Sequence, residues 1–476
     1  MDIELQWLRD NGYLLPETQI YSYIDIWKSW FMNQVDFHTY RDFYGDQRQM
    51  YSLGMAKRIC EDWSSIIFAE KDEITTNKIK NKTFIEKFIN KIKLRKKLPI
   101  MIEKSAWSGT CGCIYRLKNI KINNGIIEKT DKTDYDLISV TAEHIIPLRI
   151  EHDKIIDVAF SSEKVVKGKV IICIEIHELK DNGYVIRNIF IDKETKEEVE
   201  LEGIIKKMET QSDIPLFSLL MPPSDNEIEN NLGLGLSVYA NAIDQLKDCD
   251  IKYHNSVKDF ELGGKKIIYN KKLVKYKTIN YTDENGNKQV KEIPVYPDDI
   301  SKQQFMEVGD GLSDKELVQE INPSLRTTEN KEGLQFSLDI LSFKCNLGTK
   351  YYEFSGGSVV TATQYAGDRQ DLMKNAKKYR NNLDEFISDI IKGALLLGRL
   401  VFNEKVDENC IVSVTNRDGI LVSDEEIKEQ YRQEYNMGLM SKRTYLMKIN
   451  NWTEEEALAE LQRIEEENSI REVSEE

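Results

Sequence analysis

Two long stretches with apolar residues at helical spacing, separated by a short strand-rich insert, constrain this chain more than any other feature. In residues 236–262, Tyr239, Ala242, Ile243, Leu246, Cys249, Tyr253, Val257 and Phe260 share one face, and neither Gly nor Pro intervenes before Gly263 and Gly264. The spacing predicts one helix of about 40 Å, longer than a compact domain usually needs. Helix is expected again from Thr328, with Glu329 and Glu332 where the macrodipole favours acids, then Leu334, Leu338, Leu341 and Cys345 leading to Gly348. Between the two, YKTINY (276–281) and QVKEIPVY (289–296) flank the turn-rich DENGN (283–287) and read as strands. Two rods bracketing a small β-module imply an extended protein whose function is its shape.

The remaining chain alternates helical and strand-rich regions, so the expected fold class is α+β. Residues 1–103 read as helical, and within 50–70 the residues Leu53, Ala56, Ile59, Cys60, Trp63, Ile66 and Ile67 form one wide stripe. Residues 78–97 carry nine Lys or Arg against the single acid Glu86, with Phe84, Ile85, Phe88, Ile89 and Ile92 at helical spacing. From 104 to 222 the runs become short and β-branched. CIYRL (113–117) and IIEK (126–129) flank Asn123, Asn124 and Gly125, and VIICIEI (170–176) and YVIRNIF (184–190) flank Asp181, Asn182 and Gly183, which predicts two hairpins. Further on, Thr361 with Gln364 has capping-box spacing and opens the longest stripe: Tyr365, Leu372, Ala376, Tyr379, Leu383, Phe386, Ile390, Ala394 and Leu397. Ser423 with Glu426 and Thr453 with Glu456 repeat that spacing in a helical tail whose last 26 residues, 451–476, hold ten acids and two arginines. Only 34 of 476 residues are Gly or Pro, which favours long regular elements over flexible linkers.

Composition narrows the function. With 66 Lys and Arg against 81 Asp and Glu the net charge is −15, unlike a protein that wraps a polyanion over its whole surface. The most apolar stretch, 387–402, is interrupted by Asp389, Lys392 and Arg399, too soon for a membrane span, and the first residues lack the basic start and apolar run of a signal peptide. The seven cysteines are scattered and odd in number and read as reduced thiols of a cytoplasmic product; Cys111 and Cys113, the one close pair, lack the second pair a zinc site needs. No metal or cofactor is expected. There is no GxxxxGK[ST] loop, Gly233 and Gly235 lack the third glycine of a dinucleotide fingerprint, and the five histidines (38, 144, 152, 177, 254) occur in no HExxH or triad-like context. His144 and His177 lie in strand-like runs, where a satisfied structural histidine is the commoner case. Nothing here points to an enzyme.

A set of short segments, in order, carries a family resemblance: MAKRICEDWSSIIFAE (55–70), NGYVIRN (182–188), PLF (215–217), LGLGLSVYANAID (232–244), NPSLR (322–326), TAT (361–363) and GLMSK (438–442). In these the chain resembles the portal proteins of tailed bacteriophages, of the siphophage type found in Gram-positive hosts. It departs from that pattern at Gln364, where an acid is common, and at Arg417 and Asp418, where an acidic pair follows the late strand. The resemblance implies a non-enzymatic ring of twelve copies at one capsid vertex, in the virion and in the host cytoplasm during assembly, through which double-stranded DNA is packaged and ejected. It implies a wing over 1–235, stem helices over 236–262 and 327–348, a clip over 263–326, a tunnel loop and long helix over 349–402, and a return strand with an acidic helical crown over 403–476. The implied partners are the large terminase subunit, a head-completion adaptor, and the major capsid and scaffold proteins, with no membrane.

A conduit must not hold DNA tightly, because each neutralised phosphate adds sequence-independent affinity. The acidic balance suits low friction, and a few cations suffice to centre a duplex. The channel-lining candidates are Lys350, Tyr351, Tyr352, Phe354, Ser355, Gly356, Gly357 and Ser358 in the loop, and Arg369, Lys374 and Lys377 on the helix behind it, with Lys378 and Arg380 beside them and Asp368 and Asp371 opposing. The plainer reading is that the helix cations form a solvated face or intersubunit ion pairs. Two other classes stay open: a DNA-binding packaging accessory or nucleic-acid enzyme using the basic helix 78–97, and a coiled-coil scaffold, which the β-regions disfavour.

Overall fold

The computed structural model describes residues 2–15, 19–41, 45–68, 73–123, 126–128, 132–152, 154–201, 204, 206–228, 232–263, 266–270, 276–282, 288–294, 305–308, 318–353, 370–415, 424–450 and 452–475. In chain order the elements begin with α1 (Asp2–Asp10), α2 (Ile20–Phe31), a 3-10 turn (Asp36–His38), β1 (Thr39–Arg41), β2 (Gln47–Gln49), α3 (Met55–Ile67), β3 (Glu73–Thr76), α4 (Ile79–Ile92) and α5 (Leu94–Ser108). A strand-rich stretch follows: β4 (Cys111–Lys118), β5 (Lys121–Asn123), β6 (Ile126–Glu128), β7 (Asp134–Thr141), β8 (Ile145–Glu151), β9 (Lys154–Val166), β10 (Lys169–Lys180), β11 (Gly183–Asp192), β12 (Lys207–Glu209) and β13 (Phe217–Leu220). Then come α6 (Ile243–Leu262), β14 (Lys266–Asn270), β15 (Tyr276–Thr282), β16 (Lys288–Pro294), β17 (Phe305–Val308), β18 (Val318–Ile321), α7 (Thr327–Lys344), α8 (Gln370–Phe402), β19 (Val412–Thr415), α9 (Asp424–Asn436), α10 (Lys442–Asn450) and α11 (Glu454–Glu475). The fold is α+β. It divides into two compact units, one of Met1–Ile24, Cys60–Ser237 and Thr361–Glu476, the other of Asp25–Ile59 and Val238–Val360.

In the first unit a five-stranded antiparallel sheet, in order β12-β11-β10-β9-β8, is covered on both faces. Ile172, Ile174 and Ile176 of β10 pack with Leu5 and Leu8 of α1, while Ile171 and Cys173 turn to the other face and meet Phe190. That two-sided burial explains why 170–174 is a continuous apolar run instead of alternating. Of the two expected hairpins, the second forms, with Lys180 paired to Gly183 across a two-residue turn. The first does not form between 113–117 and 126–129: β4 pairs with β7 and β13 instead, and the short β5 takes its place beside β6, with Asn123 opposite Ile126. A three-stranded sheet, β13-β4-β7, lies beside α8, whose stripe from Leu372 to Leu397 is buried at every expected position described. The Tyr379 hydroxyl, inside that stripe, donates to Ser105 Oγ at 2.9 Å.

Residues 1–103 are not uniformly helical. The strands β1 and β2 are too short to show a period, and β3 is held by β19, which pairs Glu73 with Thr415 across most of the chain. The basic run is two helices, not one: Lys93 takes a left-handed conformation (φ 54°) and ends α4 where α5 begins. The break has a packing cause. Ile92 and Leu94 are both buried, yet two residues apart they would point to nearly opposite sides of a continuous helix. In the tail, Thr453 and Glu456 form the expected capping box: Thr453 N donates to Glu456 Oε2 (2.8 Å) and Glu456 N to Thr453 Oγ1 (3.3 Å). The boxes expected at Thr361 and Ser423 lie outside the described residues.

In the second unit α6 and α7 pack antiparallel. Arg326 and Asn330 meet Asp259 at one end, Ser337 meets Asp248 and Lys252 in the middle, and Lys344 Nζ reaches the Asn241 carbonyl at the other end. Leu246, Cys249, Leu338, Leu341 and Cys345 fill the unit's interior. The first rod is shorter than its periodicity suggests. Helix begins at Ile243, because buried Tyr239 is spent on a turn that lets its hydroxyl donate to the Trp27 carbonyl (2.7 Å), leaving 20 residues and about 30 Å. The insert between the rods holds, among the described residues, a three-stranded sheet, with β14 parallel to β17 and antiparallel to β18, and the antiparallel pair β15–β16, which runs from Tyr276 opposite Pro294 to Thr282 opposite Lys288.

The Asp259 carboxyl is held below its usual range, chiefly by hydrogen bonds from Arg326 and then from Asn330. Its native value is depressed, so the contribution is complete above the unfolded carboxyl value, about 3.9, and is lost as pH falls through the folded value. Amide exchange at residues 326–332 is therefore expected to accelerate only below about pH 4. In Asp259→Asn it should be fast already at neutral pH; unchanged protection there would contradict this account of the clasp.

Candidate functional site

The loop named above as a channel-lining candidate starts where α7 ends. Cys345 is buried at the helix terminus, and the chain then reverses through three left-handed residues, Asn346 (φ 61°), Gly348 (φ 84°) and Lys350 (φ 60°). The Tyr351 and Tyr352 rings meet edge to face at 5.0 Å. Gln335 of α7 donates from Nε2 to the Tyr352 carbonyl (2.9 Å) and to Asp339 Oδ1 (2.9 Å), tying the loop's first residues to the helix. Lys350 is exposed and the two tyrosines are half-buried. Phe354, Ser355, Gly356, Gly357, Ser358 and Arg369 lie outside the described residues, as does Asp368.

Lys374 and Lys377 belong to the other unit, three residues apart on the exposed side of α8; Lys374 lies 3.6 Å from Asp371. Lys378 is exposed as well. Arg380 is not a surface cation: it is 9 % exposed, and its guanidinium donates to the Ile66 carbonyl (3.0 Å). Its position follows from the stripe, since Arg380 is adjacent to Tyr379 and four residues after Ala376, inside the arc that α8 buries.

The basic run 78–97 is partly consumed internally. Lys78 and Lys80 pair with Asp407 (3.7 and 3.4 Å), Lys97 donates to Asp136 (2.6 Å), and Lys91 pairs with Asp134 while lying 3.9 Å from the Tyr135 ring centre. Four of its nine cations thus hold the helices to the rest of the unit, which leaves less for a phosphate backbone.

Periodicity did not reveal a buried ionic group in the strand-rich region. Arg116 of β4 pairs with Glu175 of β10, and His177 Nε2 lies 2.9 Å from Glu175 Oε1. Desolvation pushes the His177 imidazole down to about 3 and lowers the Arg116 guanidinium as well. The signal available in the sequence was Glu175 and His177 at a two-residue spacing, which places both on one face of a strand. His177 is only half satisfied: its Nδ1 is buried without a partner among the described residues. His144, by contrast, meets Ser161 Oγ through Nδ1 at 3.2 Å. A second imidazole cluster lies in the other unit, where His38 Nε2 contacts Asp250 Oδ2 (2.9 Å) and Asp250 Oδ1 accepts from Leu53 N (2.8 Å).

All seven cysteines are buried and none is in a disulfide, and burial pushes the Cys111 thiol up to about 12, which keeps it in the neutral thiol form at neutral pH. Among the described residues no group of three or more His, Cys, Asp or Glu could hold a metal ion, and no helix is long and apolar enough to cross a membrane. No protein-family model matches the chain, and no curated protein matches it in sequence.

Proposed function

We propose that this chain is a portal subunit: a non-enzymatic protein that closes into a ring with its own copies and passes double-stranded DNA. The observation that carries this reading is the antiparallel pair α6–α7 with a β-module inserted between its helices and aromatic side chains left in solvent. Phe336 and Phe343 of α7 are 63 % and 66 % exposed and seven residues apart, so they lie on one helix face. An apolar stripe of that kind is normally covered, and a second copy of the same rod covers it in a head-to-tail ring. In this reading the loop starting at Lys350, Tyr351 and Tyr352 borders the bore. The β-module serves as the docking end for the large terminase subunit and then the head-completion adaptor, while capsid and scaffold proteins surround the wing. The net charge of −15 keeps DNA affinity low enough for sliding.

Light scattering on the purified chain tests the reading. A single species near twelve times the 55.4 kDa chain mass is expected, reduced to monomer by Phe336→Ser with Phe343→Ser. Wild-type protein that stays at 55.4 kDa at high concentration would count against it.

A further inference from the structure

Three side chains on one face of α6 hold the chain that runs from β2 to α3. Asp250 Oδ1 accepts from the Leu53 backbone N–H (2.8 Å), His254 Nδ1 from the Tyr51 backbone N–H (3.3 Å), and Glu261 Oε1 from the Tyr51 hydroxyl (2.7 Å). The spacing follows from two periods. Two residues of extended chain advance about 6.6 Å and four residues of helix about 6 Å, so alternate amides of the segment meet acceptors one turn apart. Met50 N also donates to the His38 carbonyl (2.7 Å), and Ser52 is hydrogen-bonded to Asn33. All these residues belong to the second unit.

A backbone amide only donates, so the bond from Tyr51 fixes the His254 ring with its proton on Nε2 and a lone pair on Nδ1. A second proton can go only to Nδ1, where it sets one N–H against another and abolishes the bond. The Asp250 contact responds differently. His38 Nε2 donates to Asp250 Oδ2 (2.9 Å), and a second proton on the His38 ring leaves that bond in place and adds charge attraction. His254 is buried, with the Tyr40 ring of β1 at 5.7 Å and the Tyr51 ring at 5.8 Å. Along α6 it is faced by Lys258 and Glu261, which pair with each other at 2.7 Å. Burial, and then Lys258, hold the imidazole below its usual 6.5 against the opposing pull of Glu261.

We infer that His254 is a proton-operated latch: it fastens residues 51–53 to α6 at neutral pH, and in mild acid the Tyr51 amide is released while the Leu53 amide stays held. Because the native value is depressed, the latch is whole above about pH 6.5 and weakens progressively as pH falls below that. The segment leads directly into α3, so a change of pH is felt at the entry to that helix. No contact with another copy is involved, which makes the latch independent of whether the chain forms a ring.

Amide exchange of the full chain, resolved to single residues and corrected for the pH dependence of the exchange chemistry, tests this between about pH 7.5 and about pH 5. Protection of the Tyr51 amide is expected to fall about tenfold, the worth of one hydrogen bond, while that of Leu53 stays within about twofold. In His254→Asn, whose Oδ1 replaces Nδ1 as an acceptor and does not titrate, Tyr51 protection should not depend on pH. Lys258→Gln removes a cation that resists the second ring proton, so there the loss should begin at higher pH; this variant decides the matter if His254→Asn does not fold. Tyr51 protection that persists to about pH 5, or a loss shared equally by Tyr51 and Leu53, would overturn the inference. So would an unaltered acid response in His254→Asn or an unshifted one in Lys258→Gln.

Discussion

Truncating Glu175 to alanine is expected to cost about 3–5 kcal/mol, among the largest effects of any single polar change in the first unit. The Glu175 side chain is 7 % exposed and that of Arg116 27 %, and desolvation already lowers the guanidinium. Removing the carboxylate therefore leaves a largely buried cation without its counter-charge, and strips the acceptor from His177 Nε2. The loss is chiefly that of an abandoned charge, not the net worth of the pair. Replacing both partners with apolar residues, Arg116→Met with Glu175→Leu, should accordingly recover most of the stability. Urea unfolding reads both results: the midpoint should fall sharply in Glu175→Ala with an unchanged slope and return in the double variant. A Glu175→Ala midpoint within about 1 kcal/mol of wild type would show that solvent or another group compensates Arg116.

The second large effect is expected at the glycines of LGLGL (232–236). A Cβ on Gly235 would lie 2.1 Å from the Gly109 carbonyl oxygen, and one on Gly109 would lie 2.2 Å from that of Gly235. Both obstacles are backbone atoms, so neither can swing aside. The two strands of chain are further locked by Gly235 N donating to Thr110 Oγ1 (2.9 Å), and Gly109 sits at φ 81°, where it ends α5. Gly235→Ala and Gly109→Ala should each destabilise by about 3 kcal/mol or more, through a clash that only backbone movement relieves. Gly233 is the internal control. It also has positive φ (72°), but its added Cβ meets the tip of the Ile150 side chain at 2.9 Å, which can rotate away. Gly233→Ala should cost about 1 kcal/mol, the ordinary penalty of a left-handed non-glycine residue. Thermal melts followed by circular dichroism should rank Gly235→Ala well below Gly233→Ala, and an equal ranking would contradict the close-approach account. The close approach of Gly109 and Gly235 makes these glycines a packing device.

Those positions also show what could be read in advance. The α8 stripe, the hairpin around Asn182 and Gly183 and the Thr453–Glu456 box were legible because each is decided by neighbours within a few residues, whereas 113–117 pairs with the more distant β7 and not with 126–129. What failed was decided from far away. The α4–α5 break at Lys93 exists because Ile92 and Leu94 must both be buried; β3 exists because β19 returns to pair with it; and α6 starts late because Tyr239 reaches for the Trp27 carbonyl. The site divides in the same way. The exposure of Lys350, Lys374 and Lys377 follows from local pattern, whereas the burial of Arg380 follows from the carbonyl of Ile66 on a different helix. His177 was expected to be a satisfied structural histidine, and only the packed strands show that one of its nitrogens is satisfied and the other is not.

Ring closure is the central claim, and electron micrographs of the purified, DNA-free chain address it most directly. Class averages should show closed annuli of uniform rotational symmetry around an open centre wide enough for a duplex; fields of single compact particles, or open filaments without closure, would contradict it.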